Sequence, residues 1–174
     1  MSRPRPEALR PRAELDLPAC VEVLRAVHAR DGYPLDWPAD PVAWLSPATS
    51  PAAWVAEHDG RIVGHVALSR PGEGDEAPAR WGGGPDRAAV VSRLFVSPAA
   101  RGLGLGAALL RRVTDEAAAA GLHPVLDVLS TDTAADALYR RLGWRHLSDA
   151  TQRWGPDRTV TLRCYAAPAR PGGR

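Results

Sequence analysis

The chain predicts an α/β fold in a single domain, and three observations carry that expectation. Strand-like and helix-like patterns alternate along most of the sequence. An apolar strand, Ala88 to Val96, runs into a glycine-rich loop and then a helix start. The length of 174 residues suits one domain with a sizeable core.

Taken in order, Leu9 to Leu15 holds a first short strand. Asp16 is placed to cap a helix, with Pro18 tolerated in its first turn. Leu17, Cys20, Val21, Leu24 and Val27 then recur at helical spacing, predicting a helix to about Ala29. Arg30 to Pro38 reads as a loop. Asp40-Pro41 opens a short helix through Leu45, ended by Ser46-Pro47. Ala53–Glu57 and Ile62–Ser69 are strands joined by the Asp59-Gly60 hairpin signal. Residues 71–87 read as a long loop, of a length that is usually functional or mobile. Ala88–Val96 is the strand that feeds the glycine loop.

The helix from about Gly104 to Ala120 carries Leu105, Leu109, Val113 and Ala117 along one stripe and stops at Gly121. Pro124–Leu129 is a buried strand. The next helix starts at Thr133, where Thr133-x-x-Asp136 looks like a capping box. Ala134, Leu138 and Leu142 form its expected stripe, and Gly143 ends it. Trp144–Leu147 and Thr159–Tyr165 are the last strands. Residues 1–7 and 167–174, rich in Pro, Arg and Gly, are expected to be disordered tails around a domain at 8–166.

Composition narrows the function. The formal net charge is +2, and the basic side is entirely arginine, 22 residues with no lysine. They are scattered, so neither a nucleic acid nor a membrane surface is the expected partner. Cys20 and Cys164 sit in a helical and a strand pattern and read as buried free thiols of a reducing compartment. No apolar run approaches 18 residues and the N-terminus lacks a signal-like apolar stretch, so the cytoplasm is expected. The histidines and cysteines show no metal-ligand spacing, and no metal is expected.

The segment from Leu94 to Leu110 carries the chemistry. Backbone N–H groups at a glycine loop that opens a helix face outward, and the helix end bears partial positive charge. That is a site for a phosphate or pyrophosphate. A Walker loop would need Gly-Lys-Ser/Thr, and there is no lysine. A dinucleotide fingerprint needs Gly-x-Gly-x-x-Gly, whereas Gly102, Gly104 and Gly106 are spaced two and two.

The strand ending Leu94-Phe95-Val96, then Ser97-Pro98-Ala99-Ala100, then Arg101-Gly102-Leu103-Gly104-Leu105-Gly106-Ala107, resembles the coenzyme A site of the GNAT superfamily of N-acetyltransferases. A second segment, Asp132-Thr133-Ala134-Ala135-Asp136-Ala137-Leu138-Tyr139-Arg140-Arg141-Leu142-Gly143-Trp144, is similar to the family's Asn-x-x-Ala-x-x-Leu-Tyr-x-x-x-Gly-Phe. It departs at Asp132 and Trp144. The likeness in element order spans about Leu9 to Tyr165. It implies a GNAT-like mixed, mostly antiparallel central sheet flanked by helices, and acetyl transfer from acetyl-CoA to an amine by direct transfer in a ternary complex.

Residue by residue, the resemblance puts the pyrophosphate on the backbone of Arg101, Gly102, Leu103, Gly104, Leu105, Gly106 and Ala107. The pantetheine arm falls to Leu94, Phe95 and Val96, on a strand that splays from its neighbour. A main-chain N–H there can polarise the thioester carbonyl. Asp132 takes the place of an asparagine that contacts the cofactor, and either only helps to cap the helix or faces the pantetheine amide. Tyr139 takes that of a tyrosine near the sulfur, and is either a feasible general acid or a core aromatic next to Leu138.

No residue identifies the general base. His65, Ser92, Asp31 and Asp36 are candidates, each with an ordinary structural reading beside it. Tyr33, Trp37 and Trp44 near Asp31, Asp36 and Asp40 can form a slot for a cationic amine or simply pack. The acceptor implied is a small-molecule amine or a peptide N-terminus, and a homodimer is compatible with the family. The rival reading is a catalytically silent acyl-CoA-binding regulatory module, which thioester turnover with and without amines separates.

Overall fold

The computed structural model describes residues 9–47 and 52–169. The expected tail at 1–7, and residues 170–174 of the one expected at 167–174, lie outside the described residues. Seven strands form a sheet in the order β1-β2-β3-β4-β5-β7-β6. They are β1 (Leu9–Pro11), β2 (Ala52–His58), β3 (Arg61–Ser69), β4 (Ala88–Val96), β5 (His123–Leu129), β6 (Arg145–Arg153) and β7 (Thr159–Ala166). The helices are α1 (Leu17–Asp31), α2 (Pro41–Leu45), α3 (Ala77–Arg80), α4 (Leu105–Ala119) and α5 (Thr133–Arg141). The β1·β2, β2·β3, β5·β7 and β6·β7 pairs are antiparallel, and β4·β5 is parallel. This is the mixed, mostly antiparallel α/β sheet that the sequence predicts.

Two compact units make up the chain, one running to Ser69 with Val91–Val113, the other covering Arg70–Val90 and Thr114 onward. In the first unit, β2 and β3 meet at Asp59 and Gly60, whose φ angles of 51° and 74° make the left-handed hairpin turn the sequence announced. The apolar stripe of α1 is buried with Leu45, Val55 and Phe95, and Tyr33, Trp37 and Trp44 pack against that cluster. A Cβ at Gly64 would lie 3.0 Å from Leu109 Cδ1 and 3.3 Å from the Ala56 Cβ, so glycine lets α4 sit directly on β3. Leu105, Leu109 and Val113 of the predicted stripe are all buried, each worth about 1.5–3 kcal/mol on leaving water.

Two local expectations are corrected here. The first strand stops at Pro11, and a 3-10 turn at Glu14–Asp16 follows it. Asp16 makes no side-chain cap to α1. Its carboxylate instead accepts the Ala13 N–H at 2.7 Å and the two terminal nitrogens of Arg10 at 2.7 and 2.9 Å. Arg10 also reaches Glu57, so a guanidinium from β1 outcompetes the helix end for that carboxylate. Asp40 does cap α2, accepting from the Ala43 N–H at 3.0 Å.

In the second unit, the parallel ladder pairs Ala88, Ala89 and Val90 with His123, Pro124 and Val125. The stretch 71–87 is not one loop, since α3 and a 3-10 turn at Pro85–Arg87 lie within it. Asp127 on β5 accepts the N–H groups of Glu76 and Ala77 at 2.7 and 2.8 Å, anchoring the start of α3. Burial holds the Asp127 carboxyl above its ordinary range. Strand β6 runs six residues past the expected Leu147 as the edge partner of β7. Ala167, assigned by sequence to the tail, is buried, with its N–H on the Pro124 carbonyl at 2.9 Å.

Helix α5 differs from the sequence reading in two ways. Its cap is Asp132, the capping alternative for that residue, and not Thr133; the carboxylate accepts the Ala135 N–H at 3.1 Å. Asp136, expected to complete a capping box, instead takes Arg140, Arg163 and the Tyr165 hydroxyl. The stripe is also rotated: Ala134 is exposed, Leu138 and Leu142 are half-buried, and Tyr139 is the buried residue.

Candidate active site

Residues Leu94 to Ala107 all lie in the first unit. Phe95 is buried, with Leu94 and Val96 half-buried on either side. All three lie beyond the β4·β5 ladder, which occupies Ala88–Val90. A 3-10 turn at Pro98–Ala100 follows, and then the glycine loop is exposed from Arg101 to Gly104. Gly102 and Gly104 have φ of 81° and 75°, and a Cβ added at either would meet no atom within 4 Å. Their backbones therefore border open space, in a conformation that costs a β-carbon residue about 1–2 kcal/mol. The Ala108 N–H on the Gly104 carbonyl, at 3.0 Å, opens the 15-residue α4. The N–H groups before it have no partner within the helix, and with the helix dipole they fit a pyrophosphate group.

Arg101 is not simply a free charge beside that loop. Its Nη2 donates to Asp31 Oδ2 at the end of α1. The hydrogen bond holds the Asp31 carboxyl below its ordinary range, which makes Asp31 a weaker base than its residue type suggests. Ser92 Oγ lies 3.2 Å from an Arg93 Nη1 donor.

His65 is fully buried and both ring nitrogens are engaged. Nδ1 lies 2.9 Å from the Arg93 carbonyl and Nε2 lies 2.9 Å from Arg12 Nη1. Burial pushes its pKa down to about 4. The aromatic cluster packs on this chain's own cations, Arg25 over Trp37 at 4.9 Å and Arg93 over Trp44 at 4.7 Å. Tyr33 meets the Trp44 ring edge-on at 6.2 Å. These contacts match the packing alternative for that cluster.

Asp132 and Tyr139 belong to the second unit, at the cap and the buried face of α5. The Tyr139 ring packs at 5.9 Å from Trp144 and 5.8 Å from Tyr165. Two tyrosines thus sit side by side. The Tyr165 hydroxyl donates to Asp136, and burial with that carboxylate raises its pKa. Among the described residues, no group of three or more His, Cys, Asp or Glu is placed to hold a metal. No helix among them is long and apolar enough to cross a membrane.

Sequence reasoning missed Arg12 and Arg93. One anchors a buried histidine and the other turns β4 out of regular geometry. Neither carries a local signal, because nothing in an arginine's neighbours along the chain tells which carbonyl it will reach.

An exposed glycine turn thus leads from a β-strand into a long helix within an α/β fold. The sequence model of the Acetyltransferase (GNAT) family matches residues 21–144, and the chain belongs to that family. It is 33% identical over 105 residues to an uncharacterized N-acetyltransferase of Mycobacterium tuberculosis, covering 60% of this chain and 59% of that protein. It is 40% identical over 91 residues to the IAA acetyltransferase of Azospirillum brasilense, covering 52% of each. The chain thus spans between half and three fifths of the length of these curated relatives. A Salmonella typhimurium putative acetyltransferase, solved with its cofactor acetyl-CoA, shares the fold at a TM-score of 0.68 and 22% identity, over 95% of this chain and 98% of that one.

Proposed function

We propose that this protein is an N-acetyltransferase that moves an acetyl group from acetyl-CoA to an amine by direct transfer in a ternary complex. The observation that carries the reading is the open, left-handed backbone at Gly102 and Gly104 ahead of α4. The acetyl-CoA complex of a protein of the same fold supports the choice of donor.

In this reading the backbone from Arg101 to Ala107 holds the pyrophosphate, and Leu94, Phe95 and Val96 hold the pantetheine arm. Asp132 has one carboxylate oxygen committed to the α5 cap, leaving the other as an acceptor for a pantetheine amide. The neutral amine attacks the thioester carbonyl, the C–N bond forms and the C–S bond breaks. The departing thiolate takes a proton from Tyr139, and the proton that the acylated nitrogen sheds goes to solvent, from which the tyrosine is reprotonated. With reference pKa values near 10 for tyrosine and 8.5 for a thiol, that transfer is uphill by only about 2 kcal/mol.

Purified protein incubated with acetyl-CoA and a panel of small amines, antibiotics, amino acids and peptides tests the reading, with products identified by mass spectrometry. Acetylated amine with matching release of free thiol is the expected result. Tight coenzyme A binding without transfer to any amine would favour the silent acyl-CoA-binding module instead.

A further inference from the structure

Strand β4 contains one residue that a strand does not normally tolerate. Arg93 has φ of 51°, the left-handed region, without being glycine. Such a conformation persists only where surrounding contacts hold it. The Arg93 side chain supplies one hold, since Nε donates to the Trp44 carbonyl at 2.6 Å and the guanidinium lies over the Trp44 ring. The other hold is His65, against the Arg93 carbonyl at 2.9 Å.

The proton on His65 can be placed. Arg12 Nη1 is an obligate donor, and it lies 2.9 Å from Nε2 while also donating to the Leu45 carbonyl at 2.8 Å. Nε2 therefore accepts, and the ring proton sits on Nδ1, facing the Arg93 carbonyl. The imidazole is also stacked on Phe95, with centroids 5.1 Å apart and planes 12° from parallel. A buried ring fixed by two hydrogen bonds and a stack has no freedom to reorient.

The Arg93 carbonyl and the Leu94 N–H belong to one planar trans peptide, in which they point in opposite directions. Gripping the carbonyl oxygen therefore sets the direction of the Leu94 N–H. We propose that His65, anchored by Arg12, is a positioning residue that locks the Arg93 turn and so aims the Leu94 N–H at the acetyl carbonyl of the donor. This rests on the acetyl-CoA reading above and adds to it the device that orients the polarising N–H. It also gives His65 a role other than that of a base.

Isotope-edited infrared spectroscopy of [1-13C]acetyl-CoA bound to the full chain reads this hydrogen bond directly. In the parent, the bound carbonyl stretch should lie below that of free acetyl-CoA. His65→Phe keeps the stacked ring and loses both bonds, and His65→Gln keeps an acceptor for Arg12 but lacks the Nδ1 donor. Both should lose most of the shift while binding coenzyme A, which has no acetyl group, within about twofold of the parent. His65→Asn, whose amide nitrogen overlays Nδ1, should restore the shift. Should the Phe and Gln variants fail to fold, Arg12→Met removes the group that fixes the tautomer and should weaken the shift.

Parental carbonyl frequencies in every foldable variant among His65→Phe, His65→Gln and Arg12→Met would overturn the inference and leave acetyl-CoA binding intact. So would an unshifted carbonyl in a parent that binds acetyl-CoA. A parent that does not bind acetyl-CoA at all would overturn the donor reading itself.

Discussion

Arg101, the first residue of the glycine loop, donates its Nη2 hydrogen bond to Oδ2 of Asp31, the last residue of α1. The pair is partly exposed, with 46% and 36% of the two side chains accessible, so its net worth is about 0–1 kcal/mol. Its charge still matters to a ligand. Asp31 neutralises the cation beside a loop proposed to take a pyrophosphate. Asp31→Asn should therefore raise coenzyme A affinity, by up to about fivefold at low ionic strength, with the gain vanishing in high salt. Calorimetric titration at two salt concentrations checks this. A loss of affinity would mean that Asp31 holds Arg101 in the binding pose.

Gly104→Val places a branched side chain in a left-handed position facing open space. In the proposed reading that space receives phosphate oxygens. Coenzyme A binding should weaken at least tenfold, or about 1.4 kcal/mol. Gly121→Ala, a left-handed glycine at the far end of α4 with equally open surroundings, is the control for strain alone. Equal coenzyme A affinities in parent and Gly104→Val would remove the loop from the binding site.

Tyr139→Phe keeps the ring contacts to Trp144 and Tyr165 and removes the hydroxyl. Turnover should fall by about two orders of magnitude, the usual scale for an acid–base group, with coenzyme A affinity nearly unchanged. The comparison variant is Tyr165→Phe. It should lose stability, because Asp136 loses a donor, and keep most of its turnover. The reverse pattern would transfer the general-acid role to Tyr165.

Periodicity made most of this fold legible. The α4 stripe, the Asp59-Gly60 hairpin, the Asp40 cap and the glycine loop all depend on residues a few positions apart. What the sequence concealed were the partners of its carboxylates. Asp16 and Asp136 had a sensible local use as caps and Asp127 had none, and each is engaged by more distant groups: Arg10 for Asp16, the Glu76 and Ala77 N–H groups for Asp127, and Tyr165 with Arg163 for Asp136. With 22 arginines in the chain, a local pattern cannot rank which one will arrive. The turn at Arg93 was hidden for the same reason, since contacts from β3 and α2 hold it in an otherwise regular strand.

Asp16 gives a pH test of one such assignment. Hydrogen bonds from Arg10 and the Ala13 N–H hold its carboxyl below the ordinary value of 3.8. A carboxyl depressed in the folded state stabilises the fold above the unfolded pKa, and that stability is lost as pH falls through the folded value. Asp16→Asn should thus be less stable than the parent at pH 7, by about 1–2 kcal/mol given the partly exposed Arg10. The gap should narrow once the pH drops below about 4. Urea unfolding of both proteins at the two pH values measures it. A gap that is constant with pH would assign the loss to packing rather than charge.

The thiols decide between direct transfer and a covalent acyl-enzyme. Cys20 and Cys164 are both fully buried, and burial pushes their pKa values up to about 11 and about 12. The thiolate is the nucleophilic form, so neither cysteine is equipped to accept an acetyl group in the folded protein. There is no lysine to do so either, and arginine stays protonated at neutral pH. Incubation with acetyl-CoA should leave the intact mass unchanged, apart from at most one acetyl on the α-amino group. Two-substrate kinetics should then show intersecting rather than parallel lines, as sequential transfer requires. Iodoacetamide should label the cysteines only after unfolding. A stable acetyl adduct on Cys20 or Cys164, together with parallel lines, would replace direct transfer by a two-step route through that sulfur.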